Sequence, residues 1–380
     1  MNSETGLSPT PIVFVHRDLD FWKPFLFGEK SISNDEISDL CRDGRDVWII
    51  NTYTRVRDAL AAVSISADVV PGAICIAHHD DLAQLSNTHE CVLVAIRADR
   101  ERSFGCDFEV VQSPSSIEWE RSFFIPHWPQ FGLSPRSVDR GNTISRIGFF
   151  GLEKNLADEF RTEAFHDALK RMGVELVICH EPSSWTRYND IDIVLAIRDG
   201  SPYYLQSKPA SKLYNAWIAG CVAFVGDEPA FHYHGLHRID FMHIRDSAEM
   251  IRTLEELKSN PQVYEQMRHR SLIRAREVSV EATLKKWCEF LEREVRSKYP
   301  LEKEIQSANF RRGRLLRRKV GQLRQRARSG LYSHGFDKHG RKTQHKNSTT
   351  GRIACLLDRK ITSLENFRGR YNNPYDSLKR

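Results

Sequence analysis

The stretch YLQSKPASKLYNAWIAGCVAFVGDEPAF, residues 204–231, joins a short helical pattern through a glycine to an apolar strand. At 100° per residue, Leu213, Ala216 and Trp217 share one face of the predicted helix, and Gly220 ends it. The following CVAFVG is typical of a buried strand. A helix that packs its apolar face against a neighbouring strand predicts an α/β sheet here.

The predicted helix also has a polar face. Lys208, Lys212 and Asn215 are spaced i, i+4, i+7, with Ser207 predicted as the N-cap and Pro209 in the first turn. Backbone N–H groups and the helix dipole favour an anion at a helix start, and two ammonium groups would reinforce this preference. Two interpretations stay open on spacing alone: a site for a phosphorylated ligand, or a solvated helix with two surface lysines.

Short apolar runs alternate with helical patterns on both sides of a proline-rich stretch at residues 125–142. The runs before it that predict strands are PIVFVH, DVWIIN, GAICIAH and CVLVAIR, and the helical patterns are SNDEISDLCR and TRVRDALAAVS. After it, ISRIGFFG, VELVICH, DIDIVLAIR and CVAFVG predict strands, and NLADEFRTEAFHDALKRMG predicts a helix. Such alternation favours parallel sheets with both faces covered.

Four regions follow from this pattern. They are an N-terminal α/β domain at 1–125, a linker at 126–142, a C-terminal α/β domain with closing helices at 143–299, and a basic tail at 300–380, partly helical or disordered. The tail holds 21 Lys and Arg against 6 Asp and Glu, in a chain whose formal net charge is +6. A strongly basic tail therefore follows a mildly acidic body.

The composition indicates a cytoplasmic protein. The sequence has no apolar run of about 18 residues and no basic-then-apolar leader at its start. None of its eight cysteines is in a CxxC pair, and Cys75, Cys91, Cys179 and Cys221 lie in apolar stretches. This pattern predicts buried free thiols in a reducing compartment and argues against a zinc site.

Three segments resemble GT-B glycosyltransferases. SKPASKLYNAWIAGCVAFVGDEPAF resembles their donor-binding segment, RIGFFGLEKN their first C-terminal strand and phosphate-side loop, and DSAEMIRTLEELKSNPQVYEQMR their closing helices. The whole chain resembles uncharacterised bacterial family 1 glycosyltransferases, with IPHWPQ in the linker. The resemblance implies two Rossmann-like domains facing each other across a cleft, a nucleotide-sugar as co-substrate, and no metal or other cofactor.

The same resemblance assigns site residues. Lys208 and Lys212 would contact the donor diphosphate, and Asp190 and Asp192 either bind ribose hydroxyls or cap a turn, of which we favour the turn. Two glutamates seven residues apart, common in retaining GT-B enzymes, are missing, so the donor and the stereochemistry stay open. The donor-binding candidates are Gly151, Lys154, Arg198, Lys208, Lys212 and Asn215.

A general base would come from the N-terminal domain. His16 and Asp18 follow the first strand, whose end faces the cleft in GT-B enzymes, and they are the catalytic candidates. The group His78, His79, Asp80 and Asp81 is a second source of bases, and we favour no metal there. In the linker, His127 and Trp128 either line the cleft or pack against its prolines. The stretch HYHGLHRIDFMH, residues 232–243, is not at zinc-finger spacing and could contact the transferred sugar.

The tail carries an apolar stripe among arginines. Leu316, Val320, Leu323, Ala327 and Leu331 recur at steps of three and four, which is typical of a basic amphipathic helix on a membrane surface. Residues 310–331 therefore predict attachment to an anionic membrane, peripheral at its inner face, while a disordered tail stays open and nucleic acid is less favoured.

We expect sugar transfer from a nucleotide-sugar to a glycan or lipid-linked acceptor. The alternatives are a non-catalytic GT-B-like protein that binds nucleotide or glycan, and a nucleic-acid-binding protein acting through the tail.

Overall fold

The computed structural model describes residues 9–28, 32–200, 205–298 and 305–333. The chain divides into two compact units. Of the described residues, the first unit comprises those up to 112, those at 116–125 and those between 287 and 333, and the second comprises those at 113–115 and 126–286. Each unit contains one all-parallel sheet, so the predicted α/β class with two parallel-sheet domains is confirmed.

The sheet of the first unit has the strand order β2-β1-β3-β4-β5-β6. Because β1 pairs with both β2 and β3, the chain reverses its direction across the sheet between β1 and β3. The strands are β1 Ile12–Val15, β2 Val63–Ser66, β3 Ile74–His78, β4 Val92–Ala98, β5 Phe108–Val111 and β6 Ser122–Phe124.

The second unit repeats this order as β8-β7-β9-β10-β11, with its reversal between β7 and β9. Its core is formed by the buried residues of the strands, of which β8 is only partly buried, together with the apolar faces of the flanking helices. The strands are β7 Arg146–Phe150, β8 Glu175–Cys179, β9 Ile193–Ala196, β10 Val222–Val225 and β11 Met242–His243.

Helices connect these strands and close the chain. The helix predicted in SNDEISDLCR begins after Ser33, whose side chain forms a capping box with Glu36, and the closing helices are broken at Asn260–Pro261. The helices are α1 Leu19–Phe27, α2 Asn34–Asp39, α3 Asn51–Val56, α4 Glu163–Arg171, α5 Ser211–Ala219, α6 Pro229–His234, α7 Ser247–Ser259, α8 Pro261–Ala275, α9 Val280–Glu289 and α10 Ala308–Ser333.

Three predicted elements are wrong or shortened. DVWIIN is not a strand: Asp46–Ile50 is a π-helical turn that continues into α3, because a short fully buried apolar run fits helix and strand equally well. The helix predicted in TRVRDALAAVS stops at Val56, and the last two residues of this segment belong to strand β2. In the second unit, α4 begins only at Glu163, where the Thr162 hydroxyl accepts a hydrogen bond from the backbone of Phe165.

A buried aspartate fastens the linker to the second sheet. Asp192, directly before β9, is fully buried and accepts hydrogen bonds from Arg136 Nε at 3.0 Å and Arg140 Nη2 at 2.7 Å. The backbone N–H groups of Ser145 and Arg146 donate to the same carboxylate at 2.8 and 3.0 Å. Burial alone would raise the pKa of Asp192, but these hydrogen bonds hold it below its ordinary value. Asp192 lies at the amino edge of the sheet, so it has a structural role and does not bind ribose.

A second buried aspartate fastens α10 to the first sheet. Asp107, directly before β5, forms an ion pair with Arg314 and accepts a hydrogen bond from Arg318 Nη2 at 2.9 Å. Arg318 also donates to the Thr88 carbonyl at 3.1 Å, and both arginines are buried. This part of the predicted tail is therefore a docked helix of the first unit.

The segment before α10 also packs on the first sheet. The ring of Phe290 lies 5.0 Å from that of Phe123 and 6.2 Å from that of Phe108, centroid to centroid. The chain from residue 287 thus belongs to the first unit, whereas the sequence placed 287–299 with the second. The free thiols predicted at Cys75, Cys91 and Cys221 are buried, as expected, while Cys179 is only partly buried.

The apolar stripe of α10 points away from the first unit. Leu316 is 67% exposed, Leu323 64% and Val320 42%, while the arginines at 314 and 318 face inward. Ala327 and Leu331 lie where the structure describes the helix but not its side chains. Among the residues described, no helix is both long enough and apolar enough to cross a bilayer.

We expect Asp192→Asn to destabilise the protein by about 3–5 kcal/mol, because it leaves the fully buried guanidinium of Arg136 without its countercharge. Asp190→Asn is the matched control: Asp190 is half exposed and pairs with the partly exposed Arg146, so its loss should cost about 1 kcal/mol or less. Urea unfolding of both variants measures the difference, and equal midpoints would contradict a structural role for Asp192.

Two glycines of α10 should respond in opposite directions to alanine. A Cβ at Gly321 would lie 2.0 Å from the backbone oxygen of Phe104, so Gly321→Ala should push the helix off and destabilise the first unit by about 1–3 kcal/mol. A Cβ at Gly313 meets nothing within 4 Å, so Gly313→Ala should stabilise by up to about 1 kcal/mol through helix propensity. Thermal unfolding and proteolysis of the tail report both effects, and a stabilising Gly321→Ala would show that α10 does not dock here.

Candidate functional site

The carboxyl edge of the second sheet holds most of the predicted donor-binding residues. In an open parallel sheet, ligands bind beyond the carboxyl ends of the strands, at the point where the strand order reverses. Here this point lies between β7, followed by Gly151, and β9, followed by Arg198 after one intervening residue. Strand β10 lies beside β9 in the sheet, and Glu228 is the third residue after its end.

Helix α5 starts later than predicted. Its first residue is Ser211, its N-cap position is Ala210, and no side chain caps it, so Ser207 is not the N-cap. A turn closed by the Lys208 N–H and the Leu205 carbonyl precedes the helix. Lys208 therefore lies in the loop before α5, and its side chain is only 7% exposed. Of the two lysines, only Lys212 is on the helix.

The ammonium group of Lys212 reaches back over the end of β7. It lies 4.0 Å from the centroid of the Phe149 ring, a cation–π distance. It also lies 3.4 Å from the position that a Cβ on Gly151 would occupy, and Gly151 has φ +149°, which side chains rarely adopt. Glycine at this position therefore makes room for the ammonium group at the ligand-binding edge.

A buried glutamate, Glu228, lies among the basic side chains of this edge. Glu228 is 1% exposed, and its Oε1 lies 2.6 Å from Arg198 Nε. Burial raises the pKa of Glu228, while the nearby Arg198, Lys212 and Lys208 oppose that rise. Burial and the charge of Arg198 lower the pKa of Lys212 below its ordinary value, against the attraction of Glu228. We name Arg198, Lys208, Lys212 and Glu228 the cation cluster.

The cation cluster is suited to an anion. Arg198, Lys212 and Lys208 all act electrostatically on the buried carboxylate of Glu228, in a region largely shielded from water. A phosphate bound beside these basic groups would favour the protonated form of Lys212. Charge-assisted hydrogen bonds of this kind are among the strong ones in proteins.

Three of the predicted donor-binding residues are not in the cluster: Gly151, which lies beside Lys212, and also Asn215 and Lys154. Asn215 is buried rather than outward-facing, and its Nδ2 donates to Gln130 Oε1 at 2.8 Å. It therefore ties the linker to α5. Lys154 is exposed on the short 3-10 turn Glu153–Asn155 after β7, and it forms no ion pair with another described residue.

In the first unit, His16 lies at the carboxyl end of β1, at the reversal between β1 and β3. Its Nε2 is 2.8 Å from Asp46 Oδ1, and both side chains are buried. Asp46 also accepts hydrogen bonds from Trp22 Nε1 at 3.0 Å and Arg42 Nε at 3.0 Å. Burial would raise the pKa of Asp46, but His16, Arg42 and Trp22 hold it well below its ordinary value. An imidazole beside an ionised carboxylate is a candidate general base.

The other polar candidates of this edge have different surroundings. Asp18 is 56% exposed and pairs with Arg42 at 2.7 Å, so it binds the same arginine as Asp46. His78 is buried, which lowers its pKa to about 4, and His79 Nδ1 lies 2.7 Å from the Ser103 hydroxyl. The structure thus places His16 and Asp18 at one edge but gives only His16 a buried carboxylate partner.

Sequence reasoning missed Asp46 and Glu228. Asp46 precedes a run that was taken for a strand, and its partner His16 is 30 residues away in the sequence. Glu228 had a visible signal, because GDEP follows a buried strand at the ligand-binding edge and Pro229 opens a helix there. Neither pairing can be read from local spacing.

Comparisons with known proteins return structural likenesses only. No family model matches the chain, and no curated protein matches it. The similar solved structures are GT-B glycosyltransferases. One is sucrose-phosphate synthase from Thermosynechococcus elongatus, with 8% identity, 76% of this chain and 100% of that chain covered, and a TM-score of 0.48.

Two further likenesses are of the same order. Anabaena Alr3699/HepE in complex with UDP and glucose has 9% identity and a TM-score of 0.47, with 75% of this chain and 100% of that chain covered. An alpha1,3-fucosyltransferase has 10% identity and a TM-score of 0.44, with 78% and 93% covered. These values are too low to carry a function, so the case for one rests on the residues of this chain.

Proposed function

We propose that the protein is a glycosyltransferase that moves a sugar from a nucleotide-sugar donor to a glycan or lipid-linked acceptor. The observation that supports this most is the cation cluster at the carboxyl edge of the second sheet. A nucleotide-sugar presents a diphosphate, and the basic groups of Arg198, Lys208 and Lys212 gathered at one place are suited to its charge. The nucleotide, the sugar and the stereochemistry stay open.

The cluster would act on the leaving group. As the bond between the anomeric carbon and the diphosphate oxygen breaks, negative charge grows on that oxygen. Fixed cations aimed at developing charge lower the barrier more than they would in water. Lys212, whose pKa is lowered in the free protein, would gain its full charge as the diphosphate binds.

His16 is the base we assign for an inverting reaction. The acceptor hydroxyl would give its proton to the imidazole as its oxygen attacks the anomeric carbon, and the nucleoside diphosphate would leave. Asp46, 2.8 Å from His16 Nε2, would orient the ring and stabilise the imidazolium. Asp18 acts through Arg42 and is a positioning residue in this scheme.

A non-catalytic protein that binds a nucleotide is the alternative. It would keep the cation cluster but would not need the His16–Asp46 pair. The two proposals therefore differ in their response to substitutions in the first unit.

We expect Lys212→Ala to weaken the binding of nucleoside diphosphates by about 1.5–3 kcal/mol, the range for hydrogen bonds to charged groups. Glu228→Gln should act in the opposite direction, because it removes the one negative charge of the cluster. Calorimetry with UDP, GDP and pyrophosphate measures both effects, and exposed Lys170 on α4 provides the control variant Lys170→Ala. Equal affinities for Lys212→Ala and Lys170→Ala would remove the cluster from the donor site.

We expect His16→Ala to lower turnover by about 10²–10⁴-fold while donor affinity stays unchanged, as for loss of a general base. Asp20→Ala is the control: Asp20 is 91% exposed on α1 and pairs only with exposed Lys23. The assay is transfer or hydrolysis of whichever nucleotide-sugar stabilises the protein against heat. Donor binding with full turnover in His16→Ala would show that the base lies elsewhere, and donor binding with no turnover in any variant would favour the non-catalytic alternative.

We further propose that α10 holds the protein on an anionic membrane surface, where a lipid-linked acceptor would lie. The outward stripe of Leu316, Val320 and Leu323 supports this proposal, since an apolar helix face rimmed by arginines is typical of interfacial helices. A cavity of about 380 Å³ beside the stripe is lined by several arginines, among them Arg121 and Arg317. Basic groups of this kind match lipid phosphates, each contributing about 1 kcal/mol near an anionic leaflet.

Sedimentation with vesicles tests this attachment. We expect the full chain to bind phosphatidylserine vesicles but not phosphatidylcholine vesicles, and high salt to release it. Leu316→Ser and Leu323→Ser should each weaken binding, while Val138→Ser, at an 84% exposed valine of the second unit, should not. Binding to RNA with no binding to vesicles would favour the nucleic-acid alternative instead.

A further inference from the structure

Three side chains that neither proposal uses come together beyond β10 and β11. They are Asp227, just after β10, His232 on α6, and His243 at the end of β11. One ligand-type atom from each lies within 4.8 Å of the others, and His243 Nε2 is 2.7 Å from Asp227 Oδ1. On the sequence alone, this histidine-rich stretch is a candidate contact for the transferred sugar because it follows the donor strand, and its linear spacing matches no zinc finger. The sheet brings the ligands together across sixteen residues.

We infer that Asp227, His232 and His243 form a binding site for one divalent transition-metal ion, with Zn²⁺ as the representative. Two imidazoles and one carboxylate suit Zn²⁺, Fe²⁺, Ni²⁺ and Cu²⁺, whereas Mg²⁺ and Ca²⁺ prefer oxygen ligands. Three protein ligands leave a coordination position for water, as in zinc sites that are not purely structural.

To bind a metal ion, the three side chains would have to move only a short distance toward one another. With Zn–N and Zn–O distances of about 2.0–2.2 Å, ligand atoms around a tetrahedral ion lie about 3.4 Å apart. His243 and Asp227 are already closer than this, and His232, whose ligand atom lies within 4.8 Å of the other two, must approach by at most about 1.4 Å. His232 and Asp227 are exposed, so their side chains have room to make this adjustment.

Both rings already have neighbours that orient them. The His232 ring meets the His243 ring edge to face with centroids 4.9 Å apart, and His243 Nε2 lies 2.7 Å from Asp227 Oδ1. A histidine ligand in a metal site usually binds a backbone or carboxylate group through its other nitrogen, which fixes the ring. His237 is a neighbour but not a ligand, because its Nδ1 accepts the N–H of His243 at 3.0 Å.

The metal site does not depend on the proposed sugar transfer. Asp227 adjoins Glu228 in the sequence, so the metal site would border the cation cluster, yet its ligands belong to no step of the proposed transfer. Metal binding is therefore measured directly, without a donor or an acceptor.

The experiment is calorimetric titration of the full chain with Zn²⁺ alone, and with Mg²⁺ as the second probe. We expect binding of one Zn²⁺ at this site and no detectable binding of Mg²⁺. His232→Ala, His243→Ala and Asp227→Asn should each weaken the Zn²⁺ affinity by at least about tenfold, since even groups behind the ligands contribute 10–100-fold. His180→Ala is the matched control, because exposed His180 lies 3.3 Å from the carboxylate of Glu181 without a third ligand.

The free cysteines contribute equally in all these variants, so only the differences among variants report the site. Circular dichroism confirms that each variant is folded, and Asp227→Asn serves if a histidine variant is not, because Asp227 is 74% exposed. Unchanged Zn²⁺ affinity in the folded ligand variants would overturn the inference, as would an equal loss in His180→Ala.

Discussion

A buried carboxylate that binds two arginines holds a non-sheet segment onto the sheet in each unit. Asp192 binds Arg136 and Arg140 of the linker, and Asp107 binds Arg314 and Arg318 of α10. Each aspartate directly precedes a strand and also accepts a backbone N–H from the start of a neighbouring strand. These ion pairs are buried, so each partner is costly to remove even though the pair itself adds little to stability. What they specify is where the linker and the last helix attach.

The two edges of each sheet therefore have different roles. At the amino edges, Asp192 and Asp107 form the buried ion pairs that attach the linker and α10. The carboxyl edges carry the candidate chemistry instead, which is the cation cluster around Glu228 and His16 with Asp46 beside it. Because the strand order is the same in both units, each of these features lies at or beside the point where the strand order reverses. Candidate chemistry and structural ion pairing are thus separated by the length of a strand.

The features that could be predicted from the sequence are those that depend on a local pattern of residues. Buried strands such as β3 and β10 are continuous apolar runs bounded by polar residues, and the Ser33 cap is a four-residue signal. Strand β2 was missed because its residues are only partly buried, and DVWIIN was misassigned because apolar runs do not distinguish helix from strand. Three of the four residues of the cation cluster were predicted: Lys208, Lys212 and Arg198 were named, while Glu228 was not. Pairings such as Asp107 with Arg314 join residues about 200 positions apart, which no single-sequence pattern reports.

The attachment of α10 to the first unit has a consequence for the order of folding during synthesis. Strands β1 to β6 leave the ribosome first, yet their unit stays incomplete until Phe290 and Arg314 have been made. At 5–20 residues per second, the roughly 190 residues between Ile125 and Arg314 take about 10–40 s to translate. The second unit is nearly continuous in the chain and can close during that interval. The unit that begins the chain is therefore the last to be finished, and its unpaired Asp107 and open apolar surface are what a chaperone would meet in the meantime.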